Sequence, residues 1–262
     1  MKVAIIGGSL LGSIPDFTGI AGQSTQTPYG EPSGICTTAR INNIDVCYLN
    51  RHGASHRLAP HQINYRANMF MLKTLDVTDI VAVTAVGGIT GKMSPMRWVV
   101  PDQIIDYSYG REQTYNDADK AAVNHIDFTY PFEDGLRKKL EQAITMSNMA
   151  CLTQATYGVT QGPRLETIAE IKRMQRDGCD IVGMTAMPEA ALARELEMNY
   201  ATLSLVVNWA AGKGSADSTV GGDQLPEIIS MDEIRRRIAE GNEKAEIIIK
   251  NVISLETVNK IV

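Results

Sequence analysis

One pattern recurs along this chain and restricts its fold more than any other. An apolar, β-prone run stops abruptly, and glycine, a hydroxyl residue, a cation or an amide follows. Val3–Ile6 runs into Gly7-Gly8-Ser9, and the run from Ile44 to Leu49 leads to Arg51-His52-Gly53. "DIVAV" leads to Thr84-Ala85-Val86-Gly87-Gly88, "CDIV" to Gly183-Met184-Thr185, and "SLVV" to Asn208-Trp209. Runs that are apolar without alternation suit strands buried on both faces, as in sheets covered by helices. In open α/β sheets, ligands sit in the crevice at the carboxyl ends of strands. Five such endings point to one assembled site.

Helical patterns lie between the strands. "HQINYRANMFMLKTL", the segment from Glu133 to about Met146, and "ETIAEIKRM" after the turn "TQGPRL" carry helical apolar spacing. "CDIVGMTAMPEAALARELEM" reads as strand, loop and helix, with Pro188 suited to a first helical turn. "DQIIDYS" reads as a further strand, as does a run near Ile35–Ala39. Residues Lys213 to Glu227 are rich in Gly, Ser and Asp without periodicity, and are read as a mobile loop. Ser230 and Glu233 form a capping box opening a long C-terminal helix, whose charges are a solvated face. No internal repeat or linker divides residues 1–262. The expectation is a single α/β domain with a mixed central sheet flanked by helices.

Composition removes several functional classes. A hydrophobic fraction of 44% supports a full core, and a net charge of -5 without a basic stripe argues against nucleic-acid binding. It does not exclude phosphate ligands, because a few local cations and backbone N–H groups suffice. The four cysteines, Cys36, Cys47, Cys151 and Cys179, show no metal or disulfide-framework spacing and read as reduced thiols. The start "MKVAIIGGSLLG" is too short an apolar run for a signal peptide, and no stretch reaches the ~20 apolar residues of a membrane span. The expected location is the cytoplasm.

Individual residues carry two readings each. "GGSLLG" is not the dinucleotide fingerprint, but a Gly-rich turn with a Ser hydroxyl can cradle phosphate as well as simply turn. Arg51 is either a surface ion pair or a fork of donors matched to phosphate. His52, His56 and His61 crowd one segment, but Gly53 breaks the helix their spacing would need, and no metal is expected. Glu166 and Glu189 read as first-turn acids complementing helix dipoles. Asn208 is a turn residue or an amide that reads a ligand.

Together, "AIIGGS", "RHG", "HQINYRAN", "TAVGGI", "HIDF", "TQGPRLET", "VGMTAMPEAALARE" and "LVVNWAAG" resemble the trimeric purine nucleoside and methylthioadenosine phosphorylases. The likeness runs from the first strand to the C-terminal helix and is nearest to the bacterial S-methyl-5'-thioinosine phosphorylases. It implies a partly barrel-like mixed sheet of the phosphorylase/hydrolase-like, three-layer type. It also implies a homotrimer, no metal or cofactor, and inorganic phosphate as co-substrate. By motif, Ser9, Arg51, His52, Thr84, Ala85 and Thr185 take the phosphate-side positions. Met184 underlies the ribose, and Leu165 stands where relatives often place an aromatic ring on the base. Glu166, Asn208, Trp209 and Ala210 fall in the base site. His125 resembles a residue reaching a neighbouring subunit's 5' pocket, and Met231 matches an apolar position lining that pocket. The loop 213–227 is longer than the family leads one to expect.

Hydrogen-bond chemistry then selects a base. Methylthioadenosine phosphorylases carry two Asp residues where this chain has Asn208 and Ala210. A carboxylate only accepts, which suits the amine of adenine, whereas an amide both donates and accepts. Asn208 can donate to O6 of a 6-oxopurine and accept from N7–H, while Glu166 accepts N1–H. Met231 offers a soft apolar surface to a methylthio group. The expected activity is phosphorolysis of S-methyl-5'-thioinosine to hypoxanthine and 5-methylthioribose 1-phosphate, with Asn208 and Glu166 as the catalytic pair. The alternatives are a methylthioadenosine or general 6-oxopurine nucleoside phosphorylase, a nucleotide-dependent oxidoreductase, and a non-catalytic purine-binding protein.

Overall fold

The computed structural model describes residues 2–12, 26–41, 44–116, 123–214 and 229–258, with side chains to residue 255. The 213–227 loop therefore lies almost wholly outside the described residues. Ten strands form one mixed sheet. They are β1 (Lys2–Gly7), β2 (Thr37–Ile41), β3 (Ile44–Asn50), β4 (Asp79–Gly88), β5 (Trp98–Val99), β6 (Gln103–Asp106), β7 (Cys151–Leu152), β8 (Thr156–Val159), β9 (Ile181–Gly183) and β10 (Asn199–Trp209). The main path runs β2-β3-β1-β4-β10-β5-β7. Its centre, β3-β1-β4-β10, is parallel, and β2 and β5 attach antiparallel.

The sheet forks at β4. Gly87 and Gly88 pair with the end of β10 on one side and antiparallel with β9 on the other. From β9 a second branch continues through β8 to β6. The fork thus brings β9, and through it β8 and β6, to the carboxyl end of β4.

Alternation sorts the central strands between two helical layers. Ala4, Ile6, Cys47, Leu49, Ile80 and Ala82 point into one core, shared with α1 (Tyr65–Thr74) and α4 (Ala186–Glu195). Val3, Ile5, Val46, Tyr48, Val81 and Val83 point into the other, shared with α2 (Asp134–Met146) and α5 (Met231–Val258). A side chain such as Ile248, wholly buried, contributes about 1.5–3 kcal/mol. α3 (Ile168–Arg176) covers the second branch through a smaller cluster that includes Ile171, Met174 and Val182. The expected mixed sheet between helical layers is present.

Two local expectations change. Glu166 does not open a helix: Thr167 is the N-cap of α3, and Glu170 completes its capping box. Pro188 does fall in the first turn of α4, but Met187 before it is extended, as a residue preceding proline favours. Ser230 Oγ accepts from the Glu233 N–H, the expected start of α5. No helix among the described residues is long and apolar enough to cross a membrane.

Candidate active site

All five strand endings meet at one cavity of about 450 Å³. Ser9 follows β1, Arg51 and His52 follow β3, Thr84 to Gly87 close β4, Gly183 to Thr185 close β9, and Asn208 and Ala210 close β10. Leu165 and Glu166 form one wall. Leu58, Pro60, Ile229, Met231, Ile234 and Ile238 supply apolar surface.

β10 delivers its amide through a bulge. Val206 pairs with Val86 and Asn208 with Gly87, so Val207 is the extra residue. A bulge bends a strand and re-aims the side chain that follows. At Gly87, opposite Asn208, a Cβ would press on Val182 of β9 at 3.2 Å but meet Asn208 Nδ2 at an ordinary 3.5 Å, so the glycine eases the approach of β9 rather than seating the amide. Asn208 Nδ2 donates to the Trp209 carbonyl at 2.6 Å, which fixes the amide and leaves its second N–H and its oxygen uncommitted. Glu166 Oε1 accepts from Thr160 Oγ1 at 2.6 Å, which orients its carboxylate.

The opposite end of the cavity is cationic but internally balanced. Arg51 is almost wholly buried, and its Nε and Nη2 donate to Glu189 at 2.6 and 2.9 Å. Nη1 donates to the Val83 carbonyl at 3.1 Å. Burial disfavours the Arg51 cation, but the charge and hydrogen bonds of Glu189 outweigh it, and the pKa is raised. Tyr200 also donates to Glu189. The surface-pair reading of Arg51 is therefore incorrect, and Glu189 is more than a helix-dipole acid. It sits in the first turn of α4, but fully buried, as the counter-ion of Arg51.

His52 Nδ1 donates to the Leu58 carbonyl at 2.8 Å, so Nε2 of the neutral ring is an acceptor. Burial, reinforced by the Arg51 charge, lowers its pKa to about 4. The His56 ring lies against it, tilted by 33° with centroids 4.0 Å apart, and His56 Nε2 lies 3.3 Å from Ser9 Oγ. His56 follows Ser55, and both adopt left-handed backbone angles (φ 53° and 60°) that non-glycine residues rarely hold.

Not every expected residue reaches this cavity. Trp209, grouped with the base site by motif, is half-buried and does not line the cavity; its carbonyl accepts from the Asn208 amide. His125 is exposed and does not line the cavity of its own chain. Ala85, Met184, Leu165, Ala210 and Met231 line it as expected.

Sequence reasoning missed Arg111, a nearly buried guanidinium that ties the site loops together. Its Nη1 donates to the carbonyls of Met184 and Met187 at 2.8 and 2.5 Å, and Nη2 to those of Thr160 and Gln161 at 3.1 and 2.8 Å. Nε donates to the Gln161 side chain. Arg111 stands in an irregular segment with no periodicity to reveal it. Ile234 and Ile238 were legible: with Met231 they occupy i, i+3 and i+7 of α5, one helical stripe.

The family model described as the phosphorylase superfamily matches residues 2–254. The chain belongs to the phosphorylase superfamily. A probable S-methyl-5'-thioinosine phosphorylase from Pseudomonas syringae pv. tomato is 45% identical, covering 96% of this phosphorylase and 98% of the relative. The 6-oxopurine nucleoside phosphorylase of Pyrococcus furiosus is 42% identical, covering 80% of each chain. Among solved structures, a methylthioadenosine phosphorylase from an antarctic soil metagenomic library superposes with a TM-score of 0.87. It is 34% identical, and the match covers 99% of this chain and 87% of that one.

Proposed function

We propose that this phosphorylase cleaves S-methyl-5'-thioinosine with inorganic phosphate, giving hypoxanthine and 5-methylthioribose 1-phosphate. The observation that carries the reading is the division of one cavity into three chemistries. Asn208 and Glu166 supply an amide and a carboxylate; Ser9, His52, Thr84 and Thr185 surround the Arg51 charge; and Met231, Ile234 and Ile238 form an apolar wall. The names of relatives 42–45% identical to the chain support a 6-oxopurine substrate.

Phosphate attacks C1' of the ribose as the bond to N9 breaks, so positive charge develops on the sugar and negative charge on the purine. Asn208 donates its free N–H to O6, and as the base departs N7 takes up, through solvent, the proton that hydrogen phosphate gives up on becoming the sugar phosphate. The Asn208 oxygen then accepts from N7–H, so both contacts strengthen as the bond breaks. Glu166 accepts N1–H, and adenine, with a lone pair at N1, would leave the carboxylate unpaired. On the phosphate side, His52 Nε2 accepts the P–OH of hydrogen phosphate, while Ser9, Thr84 and Thr185 donate to its charged oxygens. Arg51, held by Glu189, contributes field and its remaining Nη1 proton. The anion lies under C1', where it stabilises the cationic sugar and is placed for attack. No covalent enzyme intermediate, metal or cofactor enters this scheme. The reading extends to a cytoplasmic homotrimer in which His125 serves a neighbouring 5' pocket.

Incubating the protein with phosphate and methylthioinosine, methylthioadenosine or inosine, and identifying the free base, tests the substrate. The expected order places methylthioinosine first. Adenine released fastest from methylthioadenosine overturns the choice of base.

A further inference from the structure

Tyr157, on β8, is wholly buried, and its hydroxyl is the one buried side-chain polar atom without a hydrogen-bond partner among the described residues. An unsatisfied buried hydroxyl is costly, and most such groups have a reason. The surroundings supply one. Gly183, on the cavity wall, leaves the room this hydroxyl occupies: a Cβ there would lie 2.2 Å from the Tyr157 oxygen. The hydroxyls of Thr84 and Thr185 lie close enough to oppose the rise in its pKa that burial causes, yet neither is aligned with it as a hydrogen bond. Both residues line the cavity. Thr185 occupies the N-cap position of α4, yet its side chain makes no capping hydrogen bond. Thr84 Oγ1 is paired with Ser204 Oγ at 2.8 Å. Behind the cavity wall, then, a tyrosine hydroxyl without a partner lies near a lining threonine whose hydroxyl is not spent on its cap.

We propose that Tyr157 is a positioning residue of the phosphate site, its O–H donating to the hydroxyl oxygen of Thr185 when an inorganic phosphate anion is bound. A hydroxyl has one proton and two acceptor lone pairs. Donation from Tyr157 turns the threonine's proton toward the anion and makes it a better donor. Tyr157 itself never touches the substrate. The argument rests on the reading of the cavity as a phosphate site, but not on which nucleoside is cleaved.

Tyr157→Phe keeps the ring and removes only the hydroxyl. The expected result is a three- to ten-fold rise in KM for phosphate, of the size of one hydrogen bond, with nucleoside KM and kcat within about two-fold. Without phosphate the melting temperature should equal or exceed that of the unsubstituted protein. The phosphate-induced thermal shift should need three- to ten-fold more phosphate. Thr185→Val should make the Tyr157→Phe effect disappear, so that the double variant matches Thr185→Val alone. Unchanged phosphate KM and thermal shift in Tyr157→Phe, or additive effects in the double variant, overturn the proposal. Absence of any phosphate-induced shift in the unsubstituted protein also overturns it. A normal shift with no cleavage of any nucleoside tested would defeat the proposed substrate while leaving this inference standing.

Discussion

In the proposed scheme a single amide, that of Asn208, answers two atoms of a departing base, and its geometry decides whether it can. One N–H is held by the Trp209 carbonyl, which leaves one donor and one acceptor facing the cavity. Asn208→Ala should lower kcat by about 10²–10³-fold, the range seen when a transition-state donor is lost, with phosphate KM little changed; steady-state kinetics with methylthioinosine decide this. His52 gives a pH prediction. Its folded pKa of about 4 lies below its ordinary value near 6.5. Between these limits the unfolded chain binds the extra proton, so stability is full above pH 6.5 and is lost as pH falls toward 4. Urea midpoints across that window should fall, and His52→Gln should flatten the slope. The sequence could nominate Asn208 and His52, but it could not separate Arg51 as a free phosphate cation from Arg51 as half of a buried pair. That distinction depends on Glu189, 138 positions away.

At the scale of elements, the long strands and helices are those whose periodicity the sequence displays. β4 and β10 read as buried runs, and α1, α2 and α5 as apolar stripes. β5 and β7, two residues each, are too short to show any period, and β8 contains Gly158. The strap around Thr160–Glu166 is likewise irregular and is held by Arg111. Arg111→Lys keeps the charge but not the planar fork that serves carbonyls on two segments at once. It should cost about 2–3 kcal/mol of stability by denaturant titration and raise nucleoside KM. The stripe on α5 carries a selectivity prediction: Met231→Gln should move the ratio of methylthioinosine to inosine turnover toward inosine by about ten-fold in competition assays.

Across the whole molecule, two cores on opposite faces of the sheet hold the strand ends in register, and the Arg51–Glu189 pair lies buried beneath the cavity. Breaking such a pair leaves an uncompensated buried charge. Glu189→Gln should therefore destabilise the fold by about 3–5 kcal/mol as well as disturb phosphate binding, measured by thermal unfolding with and without phosphate. The α/β class, the crevice and most of its lining were legible because each strand announces its own end. The fork at β4 was not, because pairing partners far apart in sequence leave no local trace. The assembly proposed from His125 is tested by sedimentation: three chains per particle support it, and a stable monomer overturns it.

The forked sheet has a consequence for how such a protein can diversify. In the proposed reading, the base contacts hang on the tail of β10 and on the strap after β8, while the proposed phosphate contacts belong to the ends of β1, β3, β4 and β9. On that reading, changes at positions 208 and 210 alter which purine is released without rebuilding the phosphate side of the cavity. A lineage can drift between nucleosides one side chain at a time, and relatives of this chain named for different purine nucleosides fit such a history.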